Sequence, residues 1–195
     1  MDLFANNVVQ LLADDQGGIR YWSDFVATEQ AQAWFERLRA GCDWQDERRK
    51  MYDRIVDVPR LLATYSTEAL PVDLPLAQML AQVQAVVPAP FNGIGLNFYR
   101  DGADSVAMHH DKLHTLVPGH PIALISLGHT RRMNLRVQDR SARGFGVDLE
   151  PGSLLVMSHA SQLTHLHGIA KTARSVGPRI SVVFRVRPEH WRGNY

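Results

Sequence analysis

From Phe91 onward the chain breaks into short runs, IGLNFY, PIALISL, MNLRV, GSLLVM and RISVVFRVR. Each is rich in β-branched, aliphatic or aromatic residues and bounded by Gly, Pro, Asp or Ser. Runs of this length and spacing describe an all-β sandwich or barrel rather than alternating βαβ units. A domain of that kind closes a pocket between its two sheets, where inward-facing residues from several strands converge.

The upstream part reads differently. TEQAQAWFERLRAG sets Trp34, Phe35 and Leu38 on one face, with Thr28 as N-cap and Gly41 as the stop, and so predicts a helix. PLAQMLAQVQAVVP predicts a second helix, opening at Pro75, ending before Pro88 and burying Leu76, Met79, Leu80, Val83 and Val87. Between them, RRKMYDRIVDVPRLLATYS suggests short β pieces around a turn at Asp53. The expected fold is α+β but mainly β. Residues 1–90 form an N-terminal helical extension and lid, and residues 91–190 form the β core of a single structural unit.

Composition narrows the function classes. With 195 residues, 45% of them hydrophobic and 21% charged, the chain has the makings of one globular core. A net charge of +1 draws in no polyanion by bulk attraction, so a nucleic-acid partner needs basic residues gathered on one face. Cys42 is the sole cysteine, which excludes a disulfide framework within the chain and a cysteine-built zinc site. A reducing, cytoplasmic setting fits. Neither a signal peptide nor a membrane span is expected, and the chain is expected to be a monomer.

The chemistry gathers in NFYRDGADSVAMHHDKLH. On a strand, His109 and Asp111 point the same way and address one ion, and SQLTHLHGIAK offers a third ligand in His165 or His167. Two imidazoles and a carboxylate with open positions is the arrangement that holds non-haem Fe(II), although zinc accepts the same donors. In RISVVFR, Arg179 and Arg185 stand an even number of residues apart, so one strand face carries both guanidiniums. Burying two arginines is costly unless anions meet them. Asp111 serves one, and a dicarboxylic acid serves both. Asn97 and Tyr99 share a face in the same way and offer an amide and a phenol to a carboxylate. Together these residues read as an iron site beside a 2-oxoglutarate site.

NFYRDGADSVAMHHD, PIALISLG, EPGSLLVM, HLHGIAK and RISVVFR, in this order and with VPRLLATYS upstream, resemble the AlkB family of Fe(II)/2-oxoglutarate-dependent dioxygenases over residues 45–187. The resemblance implies a double-stranded β-helix (jelly-roll) core. It assigns His109, Asp111 and His167 to the iron, the following Gly-Ile favouring His167 over His165. It assigns Asn97, Tyr99, Arg179, Ser181 and Arg185 to 2-oxoglutarate, with Arg179 on the distal carboxylate and Arg185 near the chelating end and Asp111.

The resemblance also implies a reaction. With 2-oxoglutarate and dioxygen (O2), the iron site is expected to oxidise N-alkyl groups on nucleobases of damaged DNA, single- or double-stranded, with RNA as the alternative substrate. A hydroxylated N-methyl then collapses to formaldehyde and the free base. Such a base must be flipped out or presented in a single strand. Family repair enzymes carry an acidic residue two positions after the iron aspartate, where this chain has Leu113. A leucine accepts no hydrogen bond from an exocyclic amine, so etheno adducts, which lack the free amine, are expected to be handled at least as well as methyl lesions.

YSTEALPVDLP also lacks the aromatic-rich stretch that helps relatives cover a flipped base. Tyr52, Tyr65 and His109 remain as stacking candidates, and Tyr52 alternatively as a probe inserted into the stack. Arg131 and Arg132 are candidate phosphate contacts. The competing readings are the same oxygenase chemistry on RNA, a protein side chain or a small molecule, and a non-catalytic jelly-roll binding module.

Overall fold

The computed structural model describes residues 8–51, 54–139, 142–189 and 191, with residues 47–51 and 54–58 described by their backbone alone. Among these residues, twelve strands form two antiparallel sheets. The larger runs β1 (Val8–Leu12), β2 (Ile19–Trp22), β10 (Leu154–Met157), β7 (Ile122–Gly128), β12 (Arg179–Arg185), β5 (Gly93–Tyr99), β4 (Arg54–Ser66) and β3 (Gln45–Met51). The smaller runs β6 (Val106–His109), β11 (His165–Ile169), β8 (Arg131–Val137) and β9 (Phe145–Leu149). The two sheets face one another across a core that includes Leu124, Met133, Leu135, Leu149, Leu155 and Val183, as the jelly-roll expectation requires.

The central strands of the large sheet, β10, β7, β12 and β5, are largely buried on both faces. The sheet's outer face packs on helices α1 (Thr28–Gly41) and α2 (Leu76–Val86), which bury Trp34, Phe35 and Leu38 and Leu76, Met79 and Val83 against it. The period-two alternation of β12 then divides the strand sharply. Ile180, Val182 and Phe184 join the helix-side core, so Arg179, Ser181, Val183 and Arg185 face inward between the sheets. Strand β5 repeats the division, with Ile94 and Leu96 outward and Asn97 and Tyr99 sharing the other parity. A sheet covered on both sides reads as continuous apolar runs, so polar residues on its inner parity stand out as a site.

Three expectations are revised. Thr28 is the first helical residue and the N-cap is Ala27, with no side chain capping the helix. The segment around Asp53 forms two long paired strands, β3 and β4, rather than short pieces, and the turn expected at Asp53 falls outside the described residues. The first ninety residues are more than a helical extension, because they supply β1, β2, β3 and β4, half of the large sheet. Strand β1 runs at an edge with Val8, Val9 and Gln10 exposed, and it shows no alternation of buried and exposed positions. Its neighbour β2 pairs with β10, more than a hundred residues downstream. Such short strands, one at an exposed edge and the other docked on a distant partner, leave little periodic signal.

Candidate metal and co-substrate site

His109 and His167 are directly opposed in the β6–β11 ladder, so both imidazoles project from the same face of the small sheet, with ring centroids 4.5 Å apart. Asp111 follows two residues past the end of β6. The ligand atoms of His109, Asp111 and His167 all lie within 4.8 Å of one another. The ladder shifts register between His167 and Ile169, at Gly168. A Cβ on Gly168 would stand 3.0 Å from Met108 N, Met108 Sδ and Val106 O. The glycine after the second histidine thus lets β6 approach β11 closely enough to bring the imidazoles together.

The surroundings prepare these groups as ligands. His109 Nδ1 lies 2.8 Å from the Ala107 carbonyl, a contact that needs the proton on Nδ1 and leaves the Nε2 lone pair for a metal. Burial pushes the His109 imidazole below its ordinary pKa. Burial, and then the neighbouring His109, push His167 down to about 4. Both rings are therefore neutral at pH 7, as metal ligation demands. Burial alone would raise the Asp111 carboxyl. The Arg185 guanidinium, with Nε 2.6 Å from Oδ2, outweighs it and holds the group well below the usual carboxylate range. The Asp111 backbone N–H donates to Gln162 Oε1 at 3.1 Å, on helix α3 (His159–Thr164).

The second half of the site is a polar row on the inner parity of the large sheet. Arg179 pairs across the ladder with Tyr99, and Ser181 pairs with Asn97 on one side and Ser126 on the other. Arg179 is only 1% exposed. Its Nε donates to Ser126 Oγ at 2.9 Å and its guanidinium lies 5.2 Å from the Tyr99 ring centroid. Burial pulls it down to about 10, so it is still a cation at neutral pH. Its Nη2 is buried without a hydrogen-bond partner. Asn97 Nδ2 donates to Ser181 Oγ at 3.3 Å, while Asn97 Oδ1 accepts from Arg60 Nε at 2.7 Å.

The residues therefore fit the two groups named for them. Two neutral imidazoles and a carboxylate make a donor set for Fe(II). A buried arginine with an unmatched donor, lying beside a phenol, an amide and two hydroxyls, suits an incoming carboxylate.

Other sequence candidates fall elsewhere. His165 is two residues from His167, but its Nδ1 lies 2.8 Å from Thr164 Oγ1 and it stays outside the ligand cluster. His110 turns its Nδ1 to the Asp111 carbonyl at 2.7 Å. Leu113 is half-buried on a 3-10 turn, Leu113–Thr115, just past Asp111.

Arg131 is not an exposed phosphate contact. It is 4% exposed and its Nη atoms donate to the backbone carbonyls of Asp101, Asp104 and Ala170 at 2.8–3.0 Å. Arg132 is exposed and pairs with Asp148 at 3.0 Å. Tyr65 is opposite Ile94 in the ladder, on the helix-side face, and packs against that core with Cys42 as hydrogen-bond partner. It does not look into the pocket. Tyr52 lies outside the described residues.

Arg60, Ser126 and Gln162 are site residues that the sequence reading did not assign. Arg60 stands in the VPRLLATYS stretch that carries part of the resemblance, and Ser126 is the sole polar residue in IALISL. Both were open to a parity argument. Gln162 had no signal, because the fold alone brings it to Asp111.

Known proteins match this arrangement. The family model of the 2OG-Fe(II) oxygenase superfamily matches residues 18–185. The human protein named DNA oxidative demethylase ALKBH2 is 29% identical over 147 residues, 66% of this chain and 56% of its own length. The bovine protein named alpha-ketoglutarate-dependent dioxygenase alkB homolog 3 is 29% identical over 191 residues, 86% of this chain and 67% of its own. A solved structure of OsALKBH1 shares the fold, with a TM-score of 0.61 at 16% identity over 87% of this chain and 98% of that one. The match spans 53–62% of the length of the human, mouse and bovine ALKBH2 proteins.

Proposed function

The chain belongs to the 2OG-Fe(II) oxygenase superfamily, in its AlkB branch, and from that premise we propose that it is an Fe(II)- and 2-oxoglutarate-dependent dioxygenase removing N-alkyl groups from nucleobases. One observation carries the reading. The inner face of β12 holds an arginine closed on the aspartate of the ligand cluster at one end. At the other end it holds an arginine with an unmatched buried donor. His109, Asp111 and His167 would hold the iron. Arg179, Tyr99, Asn97, Ser181 and Ser126 would hold 2-oxoglutarate.

When bound, these two groups supply, with dioxygen, the oxidation of an alkyl carbon with release of CO2 and succinate. The chain's own contribution is placement. Arg185 keeps Asp111 ionised, and the Ala107 carbonyl keeps the His109 tautomer.

DNA bearing alkyl lesions is the proposed substrate, supported by the relatives named for DNA demethylation. Leu113 supports tolerance of etheno adducts, since no acceptor on that side chain is left unpaired when the exocyclic amine is closed into a ring. The test is incubation with Fe(II), ascorbate, 2-oxoglutarate and short DNA oligomers carrying 3-methylcytosine or ethenoadenine, following oligomer mass and succinate. Loss of the adduct, abolished in His109→Ala, is the expected result. Succinate without loss of either adduct would overturn the nucleobase reading and leave an oxygenase for another target. A strong preference for 3-methylcytosine would overturn the role given to Leu113.

A further inference from the structure

The segment from Asp111 to Thr115 carries a proposed metal ligand at one end and Leu113 in its middle, and it is fastened to the same stretch of chain at both ends. Arg185 Nε meets Asp111 Oδ2 at 2.6 Å. Two residues further on, Arg187 Nη1 reaches Thr115, 2.8 Å from its carbonyl oxygen and 2.5 Å from its Oγ1. The backbone is drawn together at the same place, with Val117 N–H donating to the Val186 carbonyl at 3.0 Å.

Arg187 is itself held from several sides. Asn92 Nδ2 donates to the Arg187 carbonyl at 2.9 Å and Asn92 Oδ1 accepts from its N–H at 2.7 Å, which keeps the chain beside β5 after β12 has ended. Its guanidinium lies 4.4 Å from the Trp191 ring centroid. A Cβ on Gly93 would stand 2.9 Å from Arg187 Cγ, so glycine is what leaves the stem its room. Arg187 is 6% exposed. Two bonds from one planar guanidinium to a carbonyl and a hydroxyl of one residue fix where a turn sits, not merely that it forms.

We infer that Arg187 is a positioning residue: through Thr115 it pins the Leu113–Thr115 turn beside the metal ligands and thereby sets how that turn meets the alkylated base. The second half rests on the nucleobase-dealkylase reading above. The first half does not, and it has its own readout.

The experiment compares wild type, Arg187→Met, Arg187→Lys and Thr115→Val, the last in case the methionine variant folds poorly. Amide hydrogen exchange is read at Thr115, Leu116 and Val117, whose N–H groups donate to Lys112, Leu113 and Val186. Steady-state kinetics on the two lesion oligomers and 2-oxoglutarate affinity are read alongside. Arg187→Met should speed exchange at those amides at least tenfold while leaving Ile180 to Phe184 unchanged. It should raise KM for the oligomers at least fivefold with kcat and 2-oxoglutarate affinity within twofold, and shift the ratio between lesions. Arg187→Lys should recover part of each change, since an ammonium can keep one of the two bonds.

Unchanged exchange in both Arg187→Met and Thr115→Val overturns the inference. Faster exchange along all of β12 also overturns it, because Arg187 is then a general stability residue. Faster exchange at the turn alone, with KM and lesion ratio unmoved, overturns its substrate half. Absence of dealkylation by the wild type overturns the dealkylase reading and that half with it, while exchange still decides the pinning of the turn.

Discussion

Arg179 and Arg185 share one face of one strand, yet they sit in opposite electrostatic circumstances. Arg185 is closed on Asp111 at 2.6 Å, in an ion pair whose side chains are 11% and 9% exposed. Among the described residues no carboxylate pairs with Arg179, which is more deeply buried and keeps an unmatched Nη2. A buried pair is expensive to break, because the survivor is left as an uncompensated charge. A buried cation without a carboxylate carries that penalty already, relieved by the Ser126 hydroxyl and by the Tyr99 ring and phenol. The metal end of the site is thus complete within the chain, whereas the distal end is complete only when an anion arrives.

The largest test of this contrast exchanges each arginine for a methionine in the metal-free protein. Arg185→Met leaves Asp111 buried and alone, and should cost about 3–5 kcal/mol in chemical denaturation, with loss of divalent-metal binding. Arg179→Met removes the unpaired charge together with its weaker contacts, and should stay within about 1 kcal/mol of wild type. Equal losses in the two variants would show that Arg179 is as well compensated as Arg185.

Acid sharpens the metal end. His167 is pushed down to about 4 in the folded protein, against about 6.5 for an unfolded histidine. Between those values the unfolded chain binds a proton that the folded chain refuses. Stability of the metal-free protein is therefore undiminished by His167 above pH 6.5 and falls as pH drops toward 4. At about 1.4 kcal/mol per unit the full loss is about 3 kcal/mol. Denaturant midpoints across that window should slope more steeply in wild type than in His167→Gln, where His109, also pushed down by burial, keeps part of the slope.

The distal end answers to ligand instead. At a concentration 100 times its Kd, 2-oxoglutarate should stabilise the metal-loaded wild type by about 2.7 kcal/mol. Pyruvate, which has the keto acid but no distal carboxylate, should give much less. In Arg179→Met the two acids should become alike. A variant that still favours 2-oxoglutarate would move the distal carboxylate away from Arg179.

The same contrast explains what was legible in the sequence. Even spacing along β12 and β5 placed Arg179 and Arg185, and Asn97 and Tyr99, because a strand covered on both faces turns parity directly into address, while Ser181 came from the family resemblance alone. His109 and Asp111 were readable from their spacing, although Asp111 lies past the end of β6 rather than on the strand. His165 and His167 share parity, so spacing could not choose between them. The choice is made by the His109–His167 register and by Gly168, which admits β6 closely. Arg131 misled because Arg-Arg looks like a solvated pair. Alternation puts only Arg132 outside, and Arg131 goes inside to gather three carbonyls that the fold alone brings together. The place of Gln162 and the docking of β2 on β10 depend on contacts across more than fifty residues, and nothing local announces them.

The smallest expected effect comes from the residue whose address parity reversed. Tyr65 was a candidate to stack on a flipped base, but its ladder partner Ile94 places it on the helix side of the large sheet, and burial raises its phenol to about 12. Tyr65→Phe removes the hydroxyl shared with Cys42 and keeps the ring in the helix-side core. It should change stability by less than about 1 kcal/mol, as for one ordinary hydrogen bond. KM for the lesion oligomers should be unchanged. Tyr65→Ala makes the harder test, because a stacking ring contributes about 1–3 kcal/mol to binding a base. If the ring serves only the core, Tyr65→Ala should lower stability without changing KM once the protein is folded. A KM increase of tenfold or more in the folded variant would put Tyr65 at the substrate after all, and would mean that the β3–β4 hairpin turns its helix-side face toward DNA.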